Sequence, residues 1–190
     1  MANTLRFNVP RKKLQFNVHT DLILILMLVL ISTPLFIPSL KATPSEEPAI
    51  QIGSTLRYRD FKDQHGNWRR IDSEHKKILF VSDMDASRIV HSVFSATDAD
   101  YMDRRGIALI ADIHRMPAII SRMIAVPRMQ DYTYRILLIR DAGPGSAFPS
   151  RTGTVTILTL NELTVSAIDY AQNEEALRAA LNMERRPKSE

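Results

Sequence analysis

Asp83, Asp112 and His114 are the residues of this chain best suited to chemistry. Each aspartate follows a short apolar run, at residues 77–82 and 107–111. If those runs are adjacent parallel strands, both carboxylates lie at the C-terminal edge of one sheet. Open α/β sheets hold ligands at that edge. With His114 nearby, the set suits general acid–base chemistry or a weak metal site. The same aspartates also suit helix caps, because an Asp ahead of a helix accepts N–H groups of the first turn.

The remaining candidates point to packing rather than reaction. His65 and His91 have no partner at metal-ligand spacing. Met116, Met123 and Met129 surround one predicted helix and read as adaptable core packing. Asp98, Asp100 and Asp103 lack the glycine and distal Glu of a calcium loop. Gly143-Pro-Gly145 opens no helix and precedes no Gly-Lys-Ser/Thr, so it is a loop and not a phosphate cradle. Ser146 and Ser150 stand in that loop without a hydrolase elbow. No metal site and no cofactor is assigned. The chain contains no cysteine, so neither disulfides nor thiol chemistry is open to it.

The elements that position these residues follow from pattern. Residues 56–61 alternate apolar and polar, the mark of a half-buried strand. Residues 63–67 form a turn, with Gly66 and Asn67 tolerant of positive φ, and Trp68–Ile71 returns as a hairpin strand. Residues 77–82 are a buried strand. Asp83 and Asp85 are two N-cap candidates for a helix carrying Ile89, Val90, Val93 and Phe94. A polar stretch, 98–106, leads to the strand 107–111, completing a βαβ unit. Pro117 opens a second helix, Ile119, Ile120, Met123 and Ile124 are its buried stripe, and Pro127 stops it. Residues 135–139 are a third strand. Residues 155–160 and 163–168 form a hairpin around Asn161-Glu162. Asn173 caps a last helix, with Ala176, Leu177, Ala180 and Leu181 inward.

Apolar and charged shares of 45% and 24% are those of a globular domain. The net charge of +4 is spread over scattered Arg and Lys pairs without interleaved aromatics, so nucleic acid is not an expected partner. Residues 22–31 are purely apolar and follow Arg6, Arg11, Lys12 and Lys13. By the positive-inside rule the rest of the chain crosses the membrane. Residues 1–42 are thus a cleaved signal peptide or an uncleaved membrane anchor, and both readings stand. Residues 43–51 read as a linker, 52–183 as the domain and 184–190 as a charged tail. The expected location is periplasmic or otherwise extracytoplasmic, soluble or anchored in the inner membrane.

The order hairpin, βαβ, α, strands, α resembles the thioredoxin-like fold, in its redoxin and peroxiredoxin-type branch. Residues 63–68 resemble that family's hairpin ahead of the first core strand. Residues 78–88 resemble its strand running into the active-site turn. The closing hairpin and Glu-Glu-Ala-Leu helix resemble its C-terminal end. The resemblance implies an α/β fold: a central mixed sheet flanked by helices, with an N-terminal β-hairpin. It also places Met84 and Ser87 at the two positions of the family's C-x-x-C. The family's cis-proline is expected before the strand after the second helix, where this chain reads Tyr132-Thr133-Tyr134. A thioether forms no thiolate, and Ser87 needs an adjacent base to attack. The expected function is therefore a non-catalytic binding or accessory role in the cell envelope, with a protein or peptide partner. The alternatives are an oxidoreductase-like protein using a bound non-thiol cofactor such as flavin, and an acid–base or metal hydrolase at Asp83, Asp112 and His114.

Overall fold

The computed structural model describes residues 48–183. The apolar run, most of the linker and the charged tail lie outside the described residues. Seven strands form one mixed sheet: β1 (Arg59–Asp63), β2 (Trp68–Ile71), β3 (Lys77–Val81), β4 (Ile107–Asp112), β5 (Leu137–Ile139), β6 (Val155–Asn161) and β7 (Thr164–Ala171). Their spatial order is β2-β1-β5-β4-β3-β6-β7. β3, β4 and β5 run parallel; β6 joins β3 antiparallel, and β7 pairs β6. The β1–β2 hairpin adds to the far side through β1 against β5.

The central strands are nearly continuous runs of apolar residues because both sheet faces are covered. Leu79 and Val81 of β3 enter one core cluster, with Val90 and Phe94 of α1 (Met84–Phe94) and Met102 of α2 (Tyr101–Arg104). Leu177 of α5 (Glu174–Ala180) joins the same cluster. Ile78 and Phe80 point the other way, as the two-residue period of a strand requires, into a cluster with Ile50, Phe61 and Phe148. Phe80 and Phe148 stack there, with ring centroids 4.7 Å apart. Loop and N-terminal segments cover this second face. Ile50 is buried and its N–H donates to the Ala147 carbonyl at 2.7 Å.

Several expectations are corrected. The first strand is Arg59–Asp63 rather than 56–61, so residues 56–58 precede it and Asp63 ends it. Residues 53–56 lie elsewhere. They run beside the β6–β7 turn, where Leu56 N–H donates to Leu163 O and Val165 N–H to Ser54 O. The polar stretch 98–106 includes the helical turn α2. Pro127 does not stop the second helix. That helix runs as α3 (Ala118–Ile120), a π-helical turn (Ser121–Ala125) and α4 (Val126–Gln130). A proline removes one N–H and crowds the carbonyl four residues earlier; the widened turn just before it relieves that crowding. The residues expected to be buried on this helix are exposed: Ile119 (65%), Ile120 (40%), Met123 (71%) and Ile124 (59%). Ser121 and Val126 are buried instead, and Met116 and Met129 pack beside the core. Periodicity identifies an apolar face but does not say which side of the helix meets the sheet.

The hairpin turn is organised by a buried carboxylate. Asp63 accepts from the N–H groups of His65 (3.0 Å) and Asn67 (2.9 Å) and from Arg69 Nε (3.3 Å). Gly66 completes the turn at φ +87°. Burial pushes the Asp63 carboxyl up, but the Asn67 amide, the Arg69 guanidinium and the His65 amide outweigh it and hold the pKa below the usual value. Asp63→Ala is expected to cost about 1–3 kcal/mol at neutral pH, read by chemical denaturation. A carboxyl lowered by folding stabilises above its unfolded value near 4. That contribution fades as pH falls through the folded value. Wild type and variant should therefore converge in acid, and equal stability at neutral pH would refute this role.

Candidate functional site

Asp83 ends the approach from β3 and starts α1. It is extended (φ −145°, ψ 172°), and its carboxylate accepts the Ala86 N–H at 2.9 Å. Its other oxygen accepts the Gly153 N–H at 2.9 Å, from the loop that leads into β6. Asp83 is thus both a helix cap and a tie between two strand ends.

Asp112 ends β4, the neighbouring parallel strand. Its Oδ1 accepts the His114 N–H at 3.1 Å and shares a 2.6 Å hydrogen bond with His114 Nδ1. Gly145 packs directly on this carboxylate; a Cβ there would collide with Asp112 Oδ2. The loop glycine is therefore required by close approach. The structure brings Asp112 and His114 together. Among the described residues no hydrogen bond joins Asp83 to either, and no group of three His, Cys, Asp or Glu side chains is arranged to hold a metal ion.

Met84 and Ser87 lie on the first turns of α1 and line a cavity of about 210 Å³. Met84 is 56% exposed at its rim. The Ser87 hydroxyl donates to the Asp83 carbonyl at 2.9 Å, the local back-bond of a helical serine, which leaves it without a base. The walls are apolar: Val81, Val90, Leu109, Ala111, Ile136, Met116 and Met129. Tyr132 and Tyr134 close it from the segment ahead of β5, and Arg88 and Arg128 border it.

Sequence reasoning placed His91 and the Tyr132–Tyr134 segment but gave them no part in a site. In the fold they meet. His91 Nδ1 and the Tyr134 hydroxyl share a 3.0 Å hydrogen bond. The His91 ring lies 4.4 Å from the Tyr132 ring, and the two tyrosines stack at 5.3 Å. Burial, and then the neighbouring Tyr132, push the Tyr134 phenol upward, so it remains protonated. The segment 151–154 also faces the start of α1, through the Gly153 bond to Asp83. Neither it nor 132–134 contains a proline.

Gln64, predicted only as a turn residue, fixes the tyrosine segment. Its buried amide donates to Tyr134 O (2.9 Å) and accepts from Ile136 N–H (2.9 Å), mimicking a strand partner. Its backbone N–H donates to Ile136 O (3.1 Å), and Gln130 Nε2 donates to Gln64 O (2.9 Å).

No family model matches the sequence, and no curated protein matches it. Similar solved structures include a thio-disulfide isomerase from Thermus thermophilus, at 17% identity and TM-score 0.44, covering 70% of this chain and 96% of that one. An uncharacterized thioredoxin-like protein from Porphyromonas gingivalis matches at 15% identity and TM-score 0.45, covering 70% and 92%. Peroxidoxin BcpB from Mycobacterium tuberculosis matches at 12% identity and TM-score 0.45, covering 70% and 95%. The strand order β2-β1-β5-β4-β3-β6-β7, with three parallel central strands and an antiparallel closing hairpin, is the central mixed sheet flanked by helices that the resemblance implies. In this domain the strand β3 leads to Met84 and Ser87, not thiols, at the helix start.

Gln64→Leu keeps the side-chain bulk but leaves Tyr134 O and Ile136 N–H unpaired. The expected cost is about 1–3 kcal/mol. Amide hydrogen exchange should accelerate at Ile136 well beyond the change at Leu79 in the central strand. Unchanged protection at Ile136 would show that Gln64 does not position this wall.

Proposed function

We propose that this chain is an exported thioredoxin-like binding or accessory protein of the cell envelope, without thiol catalysis. Its N-terminal residues serve as leader or anchor. Its pocket at the start of α1 takes an apolar side chain of a partner protein. The observation that carries this reading is the pocket itself: apolar, aromatic-walled and opening beside Met84 and Ser87. A volume of about 210 Å³ is below the roughly 300–1,000 Å³ typical of small-molecule sites. That favours an inserted side chain over a flavin. The histidine on the wall is committed to Tyr134, which suits shape and polarity more than proton transfer.

A second reading rests on the 2.6 Å Asp112–His114 bond, which orients an imidazole as a general base is oriented. It would make the chain an acid–base hydrolase at a site separate from the Met84 pocket.

One set of measurements separates these readings. The purified protein should not reduce insulin disulfides or peroxide. A photo-reactive methionine at position 84 should capture a partner from the native envelope. Ala125→Phe, which fills the pocket from the helix turn, should weaken that capture by roughly 10–100-fold, the worth of one buried side chain. Thiol-type turnover, or capture indifferent to Ala125→Phe, would refute the proposal. Ester or phosphoester turnover that is lost in Asp112→Asn would install the second reading in its place.

A further inference from the structure

We propose that the exposed face of the α3–α4 helix is a docking surface for an anionic lipid bilayer. Four large aliphatic residues stand in solvent within six positions: Ile119, Ile120, Met123 and Ile124. Single exposed apolar residues are ordinary, but a contiguous group marks an interaction site. Ser121 and Val126 turn inward and Gln130 bonds to Gln64, so the helix is anchored on the domain with this face left outside.

The surrounding charge selects the occupant. Residues 113–130 contain Arg115, Arg122 and Arg128 and no Asp or Glu. All three arginines are exposed, and among the described residues none forms an ion pair. Elsewhere on the domain the exposed arginines are commonly paired, as Arg70 is with Asp60 and Arg88 with Asp85. Aliphatic residues among unneutralised cations are the composition of a helix that lies in the headgroup region of an anionic bilayer.

The length of the chain supports the same occupant. The apolar run ends at Ile31 and the described domain begins at Pro48, so residues 32–47 join them. Sixteen residues reach at most about 55 Å when fully extended. With the run retained as an anchor, the domain stays within that distance of the bilayer, and docking becomes an intramolecular event favoured by effective concentration. Met84 is exposed at the pocket rim, and Arg128 belongs to both the pocket border and this helix. The docked face therefore adjoins the pocket.

The absence of cysteine makes the test clean. Single cysteines at Met123 and, as a remote control, at the exposed Ser166 of β7 are labelled with an environment-sensitive fluorophore. The full chain is reconstituted in vesicles of phosphatidylcholine, alone or mixed with phosphatidylglycerol. The label at 123 should shift to the blue and be quenched by nitroxide lipids only in the anionic vesicles. The label at 166 should stay aqueous. Arg115→Glu with Arg122→Glu should lower the ratio of embedded to aqueous label about 25-fold, roughly fivefold for each arginine lost. Ile124→Ser, which keeps every charge, should lower it too. A label at 123 that stays aqueous in both vesicle types overturns the proposal. So does embedding that ignores headgroup charge and the arginines. Shielding that needs no vesicles and grows with protein concentration assigns the face to a protein partner instead. None of these variants touches the pocket lining, so the result is independent of the pocket reading.

Discussion

The candidate pocket depends on the Asp83 carboxylate, because that one group ties three elements together. One oxygen caps α1 through Ala86, and the other holds the Gly153 loop ahead of β6. The residue itself sits where β3 ends. The first turn of α1, carrying Met84 and Ser87, is thereby fixed against the lead-in to β6. Both oxygens are engaged by amide donors, which explains how an aspartate at the edge of an α/β sheet can serve structure alone. Its neighbour Asp112 is held differently, by His114 and by the close approach of Gly145. Two carboxylates on adjacent parallel strands thus have separate surroundings.

The opposite wall of the pocket depends on contacts between residues far apart in sequence. Gln64 reaches seventy residues to Tyr134, and Tyr134 reaches back to His91. A buried amide that pairs with backbone at both ends does the work of one more strand partner. Leaving either end unpaired costs more than the bond itself contributes, since a buried polar group is then stranded. The polar groups at this wall are satisfied among themselves, and the cavity they enclose is apolar. That combination suits binding of an apolar group and gives no nucleophile. The serine at position 87 spends its hydroxyl on its own helix.

What the sequence disclosed, and what it hid, follows from the range of the interactions. Asp83 and Asn173 were legible as caps because a cap needs only its next three residues. β3 and β4 were legible because a doubly covered strand is a nearly continuous apolar run, and β2 and β6 because a turn signal stands beside each, at Gly66-Asn67 and Asn161-Glu162. The order of those elements was enough to suggest the thioredoxin-like fold. The second helix was read inside out. It carries apolar residues on two faces, and only the docking of Val126 and Ser121 decides which is buried. Its passage through Pro127 needed a π-helical turn that no local signal announces. Gln64, His91 and Tyr134 as a group were hidden because nothing in a turn glutamine points to a strand seventy residues on. The absence of cysteine, by contrast, was plain from composition.

The central claim is that the space at the start of α1 receives an apolar side chain. Methionine methyl NMR tests it most directly, because the chain carries its own reporters. Met84, Met116 and Met129 line the pocket, whereas Met102 is buried in the core and Met123 stands on the outer helix face. The full chain, labelled at methionine methyls, is titrated with a blocked phenylalanine amide. The account predicts saturable shifts at Met84, Met116 and Met129, with Met102 and Met123 unmoved and the shifts abolished by Ala125→Phe. Shifts confined to Met123, or none at the three pocket methionines, would contradict it.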